Sequence, residues 1–86
     1  MNKAVAARRP LYARLSDEVV HAAVSRFLEL RQKNLRKRPA TAELLAWLLV
    51  LSAQGFADVE KMSDGALASL PHLSVLIKDR DDGAAL

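Results

Sequence analysis

The 86 residues suffice for one domain with a single small core, and the sequence contains no cysteine. Disulfides, thiolate catalysis and thiolate metal sites are therefore excluded, and a reducing compartment, the cytoplasm, is expected. The longest apolar run, residues 44–51, is well short of the ~20 residues of a membrane span, and no apolar signal segment follows the first basic residues. We expect no membrane association.

Charge is unevenly distributed along the chain. Residues 1–38 carry ten of the thirteen Lys and Arg and three acids, giving +7, whereas residues 39–86 carry three basic residues and seven acids, giving −4. Together they give the formal net charge of +3. The asymmetry predicts a surface that is basic on one side and acidic on the other, suited to an anion, a nucleic acid or a second copy in a head-to-tail ring.

The sequence predicts an all-α fold, a small bundle of about four helices. No segment alternates β-branched and polar residues as a strand does, and the three glycines and three prolines allow only a few turns. We assign residues 15–80 to the helical domain. Residues 1–14 are predicted to be a flexible basic lead-in and residues 81–86 a disordered tail.

The first helix is predicted from Asp17 to Lys33. Ser16 is suited to the N-cap, and acids follow it in the first turn. Basic residues near the end and Asn34 after it favour termination there. The predicted apolar face consists of Val20, Ala23, Val24, Phe27, Leu28 and Leu30, at spacings of three and four.

The second helix is predicted from Thr41 to Gln54, with Thr41 as N-cap and Gly55 as a left-handed stop. Apolar residues cover most of its circumference, which is typical of a central, buried helix. We predict that the core is anchored by Phe27, Leu44, Trp47, Leu48, Leu51 and Leu76.

A short turn of helix over residues 58–62 and two further helices, over residues 66–70 and 71–80, are predicted downstream. Pro71 suits the first position of the last one. Leu73, Leu76 and Ile77 form its apolar face.

Chemical motifs are sparse. The glycines are too scattered for a phosphate-cradling loop, and His21 and His72 lack a second ligand at metal-binding spacing. Asp79, Asp81 and Asp82 lack the glycine and distal glutamate of a calcium loop, and we interpret them as a solvated acidic tail. We predict that this chain alone is not an enzyme and holds no metal or cofactor.

A cationic run, Arg36, Lys37 and Arg38, directly precedes Pro39 and the second helix. The positive end of the helix dipole would lie beside these cations, which favours an anion. A nucleotide phosphate is the candidate of most interest.

The segments LSDEVV (residues 15–20), FLELR (27–31) and KRPATAELLAW (37–47) resemble the C-terminal helical lid of MoxR-type AAA+ ATPases. Those lids often show a pattern like K-x-P-S-T-S-E-L-L-D-W at the entry to a long buried helix. The segment LPHLSVLIK (70–78) resembles their last lid helix, where L-P-x-L-x-x-L-x-K recurs. The resemblance covers roughly residues 15–80.

The resemblance implies a lid that moves with the nucleotide state and transmits ATP hydrolysis around a hexameric ring. The phosphate loop and the arginine finger would belong to an upstream AAA+ core domain, and ATP and magnesium would bind to the full-length protein. The implied partners are that core domain, neighbouring subunits and a protein with a von Willebrand factor A domain. The implied role is that of a remodelling chaperone.

This sequence departs from the family pattern at three positions. Ala40 and Ala42 stand in place of serines, which removes a Ser-x-x-Glu capping box, so that Glu43 must cap in another way or face the dipole. Ala46 replaces the Asp before the Trp. The resemblance implies a sensor-2-like contact with the nucleotide phosphate, for which Arg38 is the nearest candidate, beside Lys37 and Arg36. A solvated basic loop and a salt bridge between subunits are the alternatives.

Two other classes of function remain open. A small nucleic-acid-binding module would explain the five basic residues between positions 31 and 38, although the following helix offers few side chains for base readout. A free-standing helical adaptor would pair through an apolar face.

Overall fold

The computed structural model describes residues 2–7, 9–84 and 86, and every regular element among them is helical. The α-helices are α1 (Asn2–Ala7), α2 (Asp17–Arg31), α3 (Thr41–Ala53), α4 (Val59–Ser63) and α5 (Arg80–Ala84). Short 3-10 turns occur at Arg9–Tyr12, Leu67–Ser69 and Leu73–Val75. The all-α prediction is confirmed. Within the described part of the chain, no helix combines the length and apolarity needed to cross a bilayer.

Helix α2 begins as predicted. The Ser16 hydroxyl accepts a hydrogen bond from the Val19 N–H at 3.1 Å, which satisfies one of the free donors of the first turn. The helix ends at Arg31, two residues before the predicted end. Leu28, predicted on the buried face, is 43% exposed. The buried stripe is centred on Val19, Ala23, Arg26 and Leu30, which recur at spacings of three and four and turn Leu28 away from the core.

Helix α3 has a different N-cap from the predicted Thr41. Ala40 takes that position in extended geometry, and its N–H donates to the Glu43 carboxylate at 2.9 Å. The hydrogen bond from the N-cap amide to the glutamate of the capping box is thus present, whereas the bond to a side-chain hydroxyl is absent because Ala40 has none. At the other end Gly55 has φ +68°, and the N–H groups of Gly55 and Phe56 donate to the carbonyls of Ser52 and Leu51, each at 3.0 Å. This Schellman motif ends the helix where glycine was predicted to end it.

The predicted helix over residues 71–80 is wrong. His72 adopts left-handed geometry with φ 52°, which a helix cannot contain. The indole N–H of Trp47 donates to the Pro71 carbonyl at 2.7 Å, so this carbonyl bonds to α3. Only a 3-10 turn, Leu73–Val75, forms after it, and α5 starts later, at Arg80. The predicted helix at 66–70 is likewise reduced to a 3-10 turn, Leu67–Ser69.

The core is a single cluster of the described residues, to which the N-terminal segment, α2, α3, α4 and the segment after α4 all contribute. All six predicted anchors are buried, with Leu76 the most exposed of them at 2%. They are Phe27, Leu44, Trp47, Leu48, Leu51 and Leu76.

The N-terminal segment, predicted to be a flexible lead-in over residues 1–14, contributes to the core; Met1 and Arg8 lie outside the described residues, and its flexibility stays a prediction. Tyr12 is fully buried, and its hydroxyl donates to the carbonyl of Val5 in α1. The Arg9 guanidinium donates to the carbonyls of Tyr12 and Leu15 and pairs with Asp17 at 3.0 Å. These bonds attach the segment to the start of α2, an arrangement that the composition of the segment does not reveal.

Candidate functional site

The candidate site is the cationic loop, residues 35–39, which joins α2 to α3. Its two ends are apolar and buried: Leu35 is 8% exposed, and Pro39 is also buried. Between them Arg36, Lys37 and Arg38 are all exposed. Because both ends of the loop are buried in the core, the loop is held in place, and its three cationic side chains are exposed to solvent.

The main chain of the cationic loop binds a carboxylate from the other end of the sequence. The Arg36 N–H donates to Oδ1 of Asp82 at 2.7 Å, and the Lys37 N–H donates to Oδ2 at 2.9 Å. Asp82 is only 2% exposed, so its carboxylate, and not water, accepts these two hydrogen bonds. Two consecutive amides that converge on one anion form an anion-binding concavity.

Asp82 is placed by α5, which the sequence did not predict. Oδ1 of Asp79 accepts from the N–H groups of Asp81, at 2.9 Å, and Asp82, at 3.4 Å, and so caps this helix. Asp81 in turn pairs with the Arg36 guanidinium at 3.0 Å, with side chains 73% and 69% exposed. Residues 81–84 of the predicted disordered tail (81–86) lie in α5, and Asp82 is buried and not solvated; Ala85 lies outside the described residues, and the disorder of the tail stays a prediction.

The side chains of Lys37 and Arg38 line a shallow depression together with Glu43 and Lys78. Its volume of about 90 Å³ is far below the several hundred Å³ of a typical small-molecule pocket. Arg38 makes no ion pair or side-chain hydrogen bond with the described residues. The depression brings together two of the predicted contact residues and a lysine that was not predicted. It can contact part of an anion but cannot enclose a nucleotide.

A second polar cluster, around Arg26, was missed by sequence reasoning. Arg26 is 8% exposed and donates to the carbonyls of Gly65 at 2.7 Å and Ser63 at 3.4 Å. It also pairs with Glu29 at 3.1 Å. Its position on the buried stripe of α2 was the available signal. These bonds join α2 to the last residue of α4 and to the loop that follows it, so the role of Arg26 is structural.

The outer face of α2 offers little chemistry. Asp17, His21 and Ser25 lie along open grooves on this face, one helical turn apart. No hydrogen bond joins them among the described residues, and Asp17 is paired with Arg9. A search of the described residues finds no group of three side chains that could hold a metal ion.

Comparisons of the chain with protein-family models, with curated proteins and with solved structures find no match. The function must therefore be argued from the residues and their geometry.

Proposed function

We propose that this chain is the helical lid of a MoxR-type AAA+ ATPase, and that its cationic loop faces a nucleotide-bearing core domain. The observation that carries the proposal is the exposed, unneutralised Arg38 on a fixed loop at the start of a buried helix. The motif resemblance over residues 15–80 supports it.

The rigidity of the cationic loop is what a lid requires. Leu44, Trp47, Leu48 and Leu51 are fully buried, so α3 cannot move without the rest of the core. A rotation of the domain would therefore carry Arg38 with it as one body. Such a cation, brought to a phosphate or withdrawn from it, couples domain position to nucleotide state.

The rest of the nucleotide site must come from elsewhere. A depression of about 90 Å³ with three cationic side chains supplies at most part of the phosphate contacts. In the proposed full-length protein, ATP and magnesium bind to an upstream core domain in a cytoplasmic hexamer. A protein with a von Willebrand factor A domain is the proposed partner.

The nucleotide sequence upstream of the codon for Met1 tests the proposal. We expect the reading frame to continue into a phosphate-loop motif, G-x-x-x-x-G-K-[ST], and then a pair of acids. In that longer protein Arg38→Ala should lower the ATPase rate, whereas Arg14→Ala, an exposed arginine outside the loop, should not. A frame that opens at Met1 would contradict the lid function.

A small nucleic-acid-binding module is the second candidate, favoured by the exposure of Arg31, Lys33 and the loop cations. The exposed positions of α3 are less favourable, because Ala42, Ala46 and Leu49 have no group that reads a base edge. Titration with duplex DNA at low and physiological salt separates the candidates. Binding that persists at physiological salt would favour the module over the lid.

A further inference from the structure

We propose that the amides of Arg36 and Lys37 form a binding site for a phosphate-type oxyanion, and that the chain's own Asp82 carboxylate occupies this site as a displaceable plug. The inference does not rest on the lid proposal, because it concerns main-chain donors within this chain and its test uses no nucleotide.

The occupant shows that the site binds an anion. Each oxygen of the Asp82 carboxylate accepts one amide hydrogen, at 2.7 Å from Arg36 and 2.9 Å from Lys37. Hydrogen bonds from neutral amides to an ionised acceptor are stronger than those between neutral groups. A phosphate group presents pairs of oxygens in the same way and can replace both bonds.

The side chains around the amides favour a ligand of higher charge than a carboxylate. The Arg36 guanidinium is already bonded to the neighbouring Asp81, and Lys37 is exposed beside it. Because Asp81 and Asp82 belong to the same helix, undocking of α5 removes both carboxylates together. The two amides and the guanidinium are then free at the same time, and each can donate to a doubly charged phosphate.

Few contacts hold the plug. Helix α5 has five residues, far fewer than the ~12–15 at which an isolated helix becomes marginally stable, so it depends on docking. The exposed Arg36–Asp81 pair contributes little. Among the described residues, a partly buried Leu86 packs against the core and Gly83 lies close to Ile77. Segments of this kind open locally at much lower free energy than the whole domain.

In the intact chain, phosphate must compete with the Asp82 carboxylate for the amides of Arg36 and Lys37. Asp82 follows the buried Ile77 by five residues, so its carboxylate stays close to the two amides when α5 opens. Such a tethered competitor acts at an effective concentration on the order of millimolar, and an external anion binds only in proportion to the open fraction. Removing the Asp82 carboxylate should strengthen phosphate binding at the loop without adding a single donor.

The experiment is a titration of the ¹⁵N-labelled chain with inorganic phosphate at constant ionic strength, followed through the amide resonances of Arg36 and Lys37. We expect small, unsaturated shifts in the wild type. Asp82→Ala should show saturable shifts with an apparent Kd at least tenfold lower. Asp64→Ala removes the same charge from an exposed site outside the loop and should behave like the wild type.

The proposal is overturned if phosphate moves these resonances no more in Asp82→Ala than in Asp64→Ala. If Asp82→Ala does not fold, Asp82→Asn replaces it, because the amide keeps the side-chain volume but retains only one acceptor oxygen. Hydrogen exchange of the wild type adds a second check. Slow exchange at Arg36 and Lys37, accelerated in Asp82→Asn, supports the plug, whereas exchange at the rate of an open loop refutes it.

Discussion

Arg26 and the arginines of the cationic loop have the same side chain in opposite environments, one buried and the others exposed. Arg26 has no neighbouring cation in the sequence, and it is buried and bonds to the carbonyls of Ser63, the last residue of α4, and of Gly65 in the loop that follows. Arg36 and Arg38 stand in a conspicuous basic run and remain exposed. A cluster of charges along the chain therefore indicates surface, whereas a single charge on an apolar stripe indicates structure. Among the described residues, Arg36 and Arg38 are accessible to an external anion, whereas Arg26 is not.

Trp47→Ala is expected to lower the stability of the domain most, and its effect is the reference for the substitutions at the two arginine sites. The fully buried indole packs in the core and donates to Pro71. Its removal should lower the free energy of unfolding by about 3–5 kcal/mol, a large part of the stability of so small a domain. Chemical denaturation followed by circular dichroism measures this. An unchanged denaturation midpoint would contradict the placement of Trp47 in the core.

Arg26→Ala should come next, at about 2–4 kcal/mol. The substitution leaves the carbonyls of Ser63 and Gly65 without their donor and removes the packed side-chain stem. Lys33→Ala, at an exposed position just beyond α2, removes the same charge and serves as the matched control in urea unfolding. Equal losses for the two variants would erase the distinction between the buried and the exposed cations.

Arg36→Ala and Arg38→Ala should have the smallest effect on stability, within about 0.5 kcal/mol. The Arg36–Asp81 pair is exposed on both sides and is screened by solvent, and Arg38 has no ion pair among the described residues. Thermal melts of the two variants should overlay that of the wild type. A loss of several degrees would mean that the cationic loop has a structural role like that of Arg26.

Local patterns predicted the existence of α2 and α3 and the six core anchors, but not the end of α2, the exposure of Leu28 or the N-cap of α3. Ser16 and Gly55 act on their own helix ends. The apolar residues of α3 cover most of its circumference and predict burial on all sides, whereas Ala46 and Leu49 are exposed, so this pattern did not identify the exposed side. The ends of the molecule were not predictable in this way. Tyr12 is buried against α1, and Asp82 bonds to a loop more than forty residues away, so neither role is encoded in neighbouring residues.

Only the features of the candidate site that depend on neighbouring residues were predicted from the sequence. The basic run and the helix start that follows it are local features, and exposure of Arg36, Lys37 and Arg38 agrees with them. The bonding of the Arg36 and Lys37 amides to Asp82 depends on main-chain donors, which have no sequence signature. The nucleotide contact and the ATPase partners remain predictions.

The hydrogen bond from Trp47 to Pro71 also provides an intrinsic optical probe. Trp47 is the sole tryptophan, so the indole emission of the chain comes from one place. That place joins α3 to the left-handed turn at His72. Its fluorescence should therefore be blue-shifted while the segment after Pro71 is docked and shift towards the red when that segment departs, before the helices themselves melt.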